Sequence, residues 1–145
     1  MRGRAARVPR RRSREAALQV LYAIDVAGAR EPADDAFEAA AAHFEVPEAA
    51  RSFAEELVRG VVAKRDELDA LVATHSAHWR VSRMAAVDRN LLRLATYELC
   101  NTDTPTAVVI DEAVQLARRF GEDRSPAFVN GILDAIARTV RPEPS

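Results

Sequence analysis

Four arginines within five positions, Arg10, Arg11, Arg12 and Arg14, are the chemistry-bearing residues that stand out first. A guanidinium is a planar, permanently charged fork of donors that matches the oxygens of a phosphate. On a helix Arg10 and Arg14 share one face and Arg7 and Arg11 the neighbouring one, so the run offers cations on consecutive turns. Two readings stand side by side: a solvated basic terminus, or a set of phosphate contacts. Arginines in a first helical turn face the positive end of the helix dipole, at a cost of about 0.3–1 kcal/mol each before screening. Folding alone gives no reason to put them there, and an external anionic partner does.

Other candidate chemistry is thin. His75 and His78 are three apart and would share a helical face, but no cysteine and only remote carboxylates accompany them, which argues against a metal site. Cys100 ends an apolar helix, where a free cysteine acts as a small hydrophobe; a nucleophile would need a base that the sequence does not supply. Asp111 and Glu112 are adjacent on a helix and diverge. No GxGxxG, P-loop, GxSxG or HExxH pattern occurs. The chain reads as a binder and not an enzyme, with no cofactor and no metal.

The elements that must position these residues are helical. The 145 residues suffice for one domain with a core of its own, and the mix is rich in Ala, Leu, Arg and Glu and has only five glycines. The net charge of −1 conceals an asymmetry. Residues 1–14 hold seven arginines and no acid, whereas residues 31–50 hold six acids and no Lys or Arg. A single cysteine excludes an internal disulfide and points to a reducing, cytoplasmic setting. The arginine-rich start followed by Ala16–Val26 superficially imitates a secretory signal, but Gln19 and Asp25 interrupt it. No stretch approaches the roughly 18 apolar residues of a membrane span.

Apolar spacing predicts a first helix from near Pro9 to Val26 (Ala17, Val20, Leu21, Ile24 inward, Gly28 as stop) and a second over Asp34–Phe44. From Glu48 one long helix or two in tandem follow, with Gly60 as a possible break, and residues 74–82 around Trp79 look irregular. Met84, Val87, Leu91, Leu94 and Ala95 mark the next helix. Thr104-Pro105 and Ser125-Pro126 each offer an N-cap followed by proline at the first helical position, opening the last two helices. No strand pattern competes. The expected fold is all-α, one domain of six to seven helices, with a basic arm at 1–9, the helical domain at 10–140 and a short tail at 141–145.

Three stretches, RRRSREAALQVLYAID (10–25), VDRNLLRLATYEL (87–99) and VVIDEAVQLARRFGEDRSPAFVNGILDAI (108–136), resemble the NusB family of bacterial transcription antitermination factors. The last block is the most specific; residues 28–80 match in length and helical character. The resemblance implies two packed three-helix groups and recognition of boxA single-stranded RNA of nascent transcripts, notably of ribosomal RNA operons. It implies a heterodimer with NusE, a small-subunit ribosomal protein, acting within an RNA polymerase antitermination complex. On this match Arg10, Arg11, Arg12 and Arg14 fall on RNA phosphates, and Arg93 matches a further basic position. Phe128 and the loop Glu122–Ser125 match the segment approaching RNA, with core packing an equal reading for Phe128. Tyr22, Ser82 and Asp88 match the NusE-facing side.

Gly131 inside a helix is expected to reflect close helix approach, and Asn130 to satisfy buried backbone groups. The sequence also departs from the family pattern. Asp111 stands where many members carry Asn, and Ser82 where an acid can occur, which puts one NusE contact in doubt. Arg124 adds a positive charge to the loop and is expected to strengthen RNA affinity. The rival readings are a stand-alone NusB-like RNA-binding partner of an RNA methyltransferase, and a helical scaffold whose arginines are incidental.

Overall fold

A computed structural model describes residues 10–28, 33–43, 46–77 and 79–142. The expected basic arm, with Arg2, Arg4 and Arg7, and His78 lie outside the described residues. Among the described residues there are seven α-helices and no strand: α1 (Arg10–Ala27), α2 (Ala33–His43), α3 (Glu48–Ala63), α4 (Arg65–His75), α5 (Ala86–Asn101), α6 (Thr106–Phe120) and α7 (Ser125–Val140), with a short 3-10 turn at Val81–Arg83. They fall into two compact units, residues 1–63 and 64–145.

In the first unit α1, α2 and α3 pack pairwise. The core is Ala17, Leu18, Val20 and Leu21 of α1, Phe37 of α2, and Leu57, Val58 and Val61 of α3. Near the start of α1 the buried Ser13 hydroxyl donates to the Ala50 carbonyl at 2.7 Å, tying α1 to α3. A buried Leu or Val side chain contributes about 1.5–3 kcal/mol, so Leu18, Val20 and Leu21 fasten α1 firmly.

The second unit holds four α-helices, one more than a three-helix group, and the break after α3 falls at Lys64 and not at Gly60. The apolar register Leu57, Val58, Val61 runs straight past Gly60 and keeps it helical. At Lys64 the backbone leaves the helix (φ −111°, ψ 17°), and its carbonyl accepts the Leu68 N–H at 2.9 Å to start α4. Leu68 and Val72 are then buried with Leu91, Leu92, Leu94 and Leu99 of α5, Val109 and Leu116 of α6, and Val129, Leu133 and Ile136 of α7.

Two helix starts differ from expectation. Helix α6 begins at Thr106 with Pro105 as the capping residue, one position earlier than the first-turn proline expected. Helix α7 begins at Ser125, whose hydroxyl accepts the Glu122 N–H at 2.9 Å and so closes the α6–α7 turn. Arg141, in the segment expected as a tail, is instead a hub at the end of α5. Its guanidinium donates to the carbonyls of Glu98, Leu99, Thr102 and Thr104 and to the Thr106 hydroxyl, at 2.6–3.2 Å. The Leu99 and Thr102 carbonyls lie at the open end of α5, which a cation relieves twice over, by hydrogen bonding and by charge.

Candidate nucleic-acid interface

The arginines of α1 divide by depth. Arg10 and Arg11 are exposed and Arg12 is half-buried, while Arg14 is 5 % exposed. The i, i+4 pair meets one ring: the guanidinium carbons of Arg10 and Arg14 lie 4.1 and 5.6 Å from the centroid of Phe53 on α3. Arg12 donates to Glu15 at 2.9 Å. The outer cations therefore stand on a helix whose inner ones are packed, and the basic tip is part of the folded unit. Phe53 is a residue that the sequence does not single out; the i, i+4 spacing of Arg10 and Arg14 is the available signal.

Arg93 has a different place. It is 4 % exposed on α5, and its Nε and Nη2 donate to the two carboxylate oxygens of Asp69 on α4, at 2.7 and 3.0 Å. Its Nη1 donates to Asn90 Oδ1 at 3.2 Å. This bidentate pair ties α4 to α5 and gives Arg93 a structural role.

The loop between α6 and α7 shows why its residues recur as a set. A Cβ on Gly121 would lie 2.5 Å from the Ser125 hydroxyl oxygen, 2.6 Å from its Cβ and 2.8 Å from the Ala117 carbonyl oxygen. Only glycine lets Ser125 sit there, buried, with its hydroxyl accepting from Glu122 N–H. Asp88, expected on the partner-facing side, is accordingly turned inward: it is 9 % exposed and its Oδ1 has no partner among the described residues. Burial pushes its carboxyl above the ordinary value, the Ser125 hydrogen bond pulls it down, and Glu122 pushes it up again. Arg124 is exposed on the same loop.

Phe128 is half-buried one turn into α7, edge-on to Trp79, with centroids 5.8 Å apart and planes at 80°. It is thus both a packing residue and a surface one. Trp79 was passed over in the sequence because an irregular segment has no periodicity to show which way a side chain turns. Tyr22 is 41 % exposed on α1, followed a turn later by exposed Val26, and Ser82 is exposed on the 3-10 turn. Asn130 is exposed and lines an open groove of about 810 Å³ between α6 and α7, so it does not serve the buried backbone. Nor does Gly131 reflect close approach, since nothing lies within 4 Å of its missing Cβ.

The remaining polar candidates are not assembled for catalysis. His75 Nδ1 lies 2.8 Å from the Leu71 carbonyl and Nε2 2.9 Å from the Thr139 hydroxyl. Cys100 is exposed, contrary to its expected packing role. Desolvation pushes its thiol above the ordinary value against the opposing pull of Lys64 and Arg141, which disfavours the nucleophilic thiolate. Among the described residues no three His, Cys, Asp or Glu side chains converge as metal ligands, and no helix is long and apolar enough to cross a membrane.

Residues 11–138 match the NusB family. The chain belongs to that family. A transcription antitermination protein NusB of Anaeromyxobacter sp. is 49% identical over 135 residues, covering 92% of this chain and 93% of the relative. The NusB of T. maritima superposes with a TM-score of 0.84 at 37% identity, over 93% of this chain and 94% of that one. A structure of the antitermination factors NusB and NusE in complex with double-stranded RNA superposes with a TM-score of 0.80 at 28% identity, over 90% and 96% of the two chains. The NusB match thus begins at Arg11, inside the basic tip of α1, and runs through the Gly121–Ser125 turn and Phe128 to Arg138 of α7.

Proposed function

We propose that this chain is an RNA-binding transcription antitermination factor that recognises boxA RNA of nascent transcripts together with NusE. It would act in the cytoplasm, within an RNA polymerase antitermination complex, as a binder and not a catalyst. The observation that carries the RNA contact is the tip of α1: Arg10 and Arg11 are exposed on a helix anchored beneath them by Arg14 on Phe53 and by Ser13 on Ala50. Cations on an ordered helix bind phosphates without the ordering cost that a flexible tail would bear. Arg12 is the third candidate, shared with Glu15, and Arg124 and Phe128 are the candidates of the second unit. Arg14 and Arg93 serve structure.

Tyr22 and Ser82 are the surface residues proposed for NusE. An exposed aromatic ring at an interface is a large, rigid anchor. Tyr22 lies about three turns, roughly 18 Å, along α1 from Arg10, so one rigid helix would hold the RNA contact and the protein contact in fixed relation.

The test is binding of a boxA single-stranded RNA across a salt series, with and without NusE. Four neutralised phosphates, one for each of Arg10, Arg11, Arg12 and Arg124, give a slope of log K against log salt of roughly −3, at about −0.7 each. Arg10→Glu combined with Arg11→Glu should abolish binding while the far-UV circular dichroism stays unchanged. Arg124→Asp should weaken it roughly tenfold at low salt. A flat salt series, or a double variant that still binds, would sink the proposal.

A further inference from the structure

Trp79, the chain's one tryptophan, is 57 % exposed, an unusual position for so large a ring. It does not hang on a loose loop. The buried Ser76 hydroxyl donates to the Trp79 carbonyl at 2.8 Å, and the Trp79 N–H donates back to the Ser76 carbonyl at 3.0 Å. Between them Ala77 has φ +48°, a left-handed conformation that a residue other than glycine rarely adopts. A strained, doubly tied turn that holds an indole outward is not what folding alone selects.

Phe128 supports the indole from the side. Its perpendicular contact uses little of the ring surface and leaves the indole more than half open. The Phe128 N–H donates to the Arg124 carbonyl at 3.0 Å, so exposed Arg124 stands one helical turn before it. Arg80 and Arg83, both exposed, follow Trp79 directly, and no acid occurs from Trp79 to Val87. Arg80, Arg83 and Arg124 form no ion pair with a described residue. The loop acids Glu122 and Asp123 line the groove between α6 and α7, which Phe128 does not line.

We propose that Trp79 and Phe128 form a stacking platform for unpaired RNA bases, with Arg80, Arg83 and Arg124 holding the flanking phosphates. The inference rests on the RNA-binding reading and adds to it the residue that meets the bases. An open aromatic face with Arg80 and Arg83 next to it in the chain and Arg124 one turn before Phe128, three cations against the two loop acids Glu122 and Asp123, suits single-stranded nucleic acid: every base has a π-face, and every linkage a negative charge.

Because Trp79 is the sole tryptophan, its emission reports on the platform directly. A boxA single-stranded RNA should quench it, while duplex RNA and heparin, which offer no unpaired base, should not. Trp79→Ala, followed by anisotropy of labelled RNA, should lower affinity about tenfold. The log–log salt slope should stay unchanged, since no phosphate contact is removed. Trp79→Phe should keep most of the affinity, which separates lost stacking from a disturbed turn. RNA that binds with unchanged emission, and equally well to Trp79→Ala, would overturn this inference and leave the proposed function standing. Loss of NusE binding alone in Trp79→Ala would overturn it in favour of a protein contact. Failure of the unaltered protein to bind any RNA would overturn both readings.

Discussion

Two glycines in the most specific block of the sequence should respond to alanine with opposite sign. At Gly121 the added methyl would meet Ser125 Cβ at 2.6 Å and the Ala117 carbonyl oxygen at 2.8 Å, and neither belongs to a flexible side-chain end. Overpacking of this kind costs about 1–3 kcal/mol. Displacing Ser125 also removes its hydrogen bond with Glu122 N–H, at about 1 kcal/mol. A loss of about 3 kcal/mol results, which for a chain of 145 residues lowers the melting temperature by roughly 10 °C.

At Gly131, in the middle of α7, nothing lies within 4 Å of the added methyl. Alanine there should stabilise by about 0.5–1 kcal/mol through helix propensity, raising the melting temperature by roughly 2–3 °C. Thermal melts of both variants by circular dichroism check the pair. A Gly121→Ala protein melting within about 2 °C of the parent would refute the argument that glycine is needed to seat Ser125.

Arg93→Ala should lower stability by about 3 kcal/mol in urea titration, since it strands the Asp69 carboxylate and Asn90, yet leave RNA affinity unaltered below the melting range. Arg141→Ala should cost about 2–4 kcal/mol and speed amide exchange of residues 98–104, because it uncovers the carbonyls at the end of α5. Asp88→Asn should stabilise at neutral pH. The folded-state pKa of Asp88 is raised above its ordinary 3.8, so its ionised form opposes folding above the raised value. That cost disappears once pH falls below 3.8 and both states are protonated, so the gain of Asp88→Asn over the parent, read from urea midpoints at several pH values, should fade as the solution is acidified.

The fold class was legible because burial on a helix leaves a period in the chain. Val129, Ile132, Leu133 and Ile136 are apolar at three- and four-residue spacing and are all buried. The basic tip of α1 and the block around Gly121 were legible too, as residue types in an order that few folds would produce. The break at Lys64 was not, because a glycine announces a weak point while the continuing apolar stripe decides whether the helix stops there.

The site divides along the same line. Which arginines exist is a property of the sequence, and so is their place on one helix. How each is held was decided by tertiary neighbours far along the chain: Arg10 and Arg14 both meet Phe53 but only Arg14 is buried, Asp69 takes Arg93, and the Leu99 and Thr102 carbonyls take Arg141. Ser125 likewise turned Asp88 inward, and the Ser76 turn with Phe128 held Trp79 at the surface. A charged or aromatic side chain looks alike in sequence whether packed or exposed. Only its partners in space set the difference.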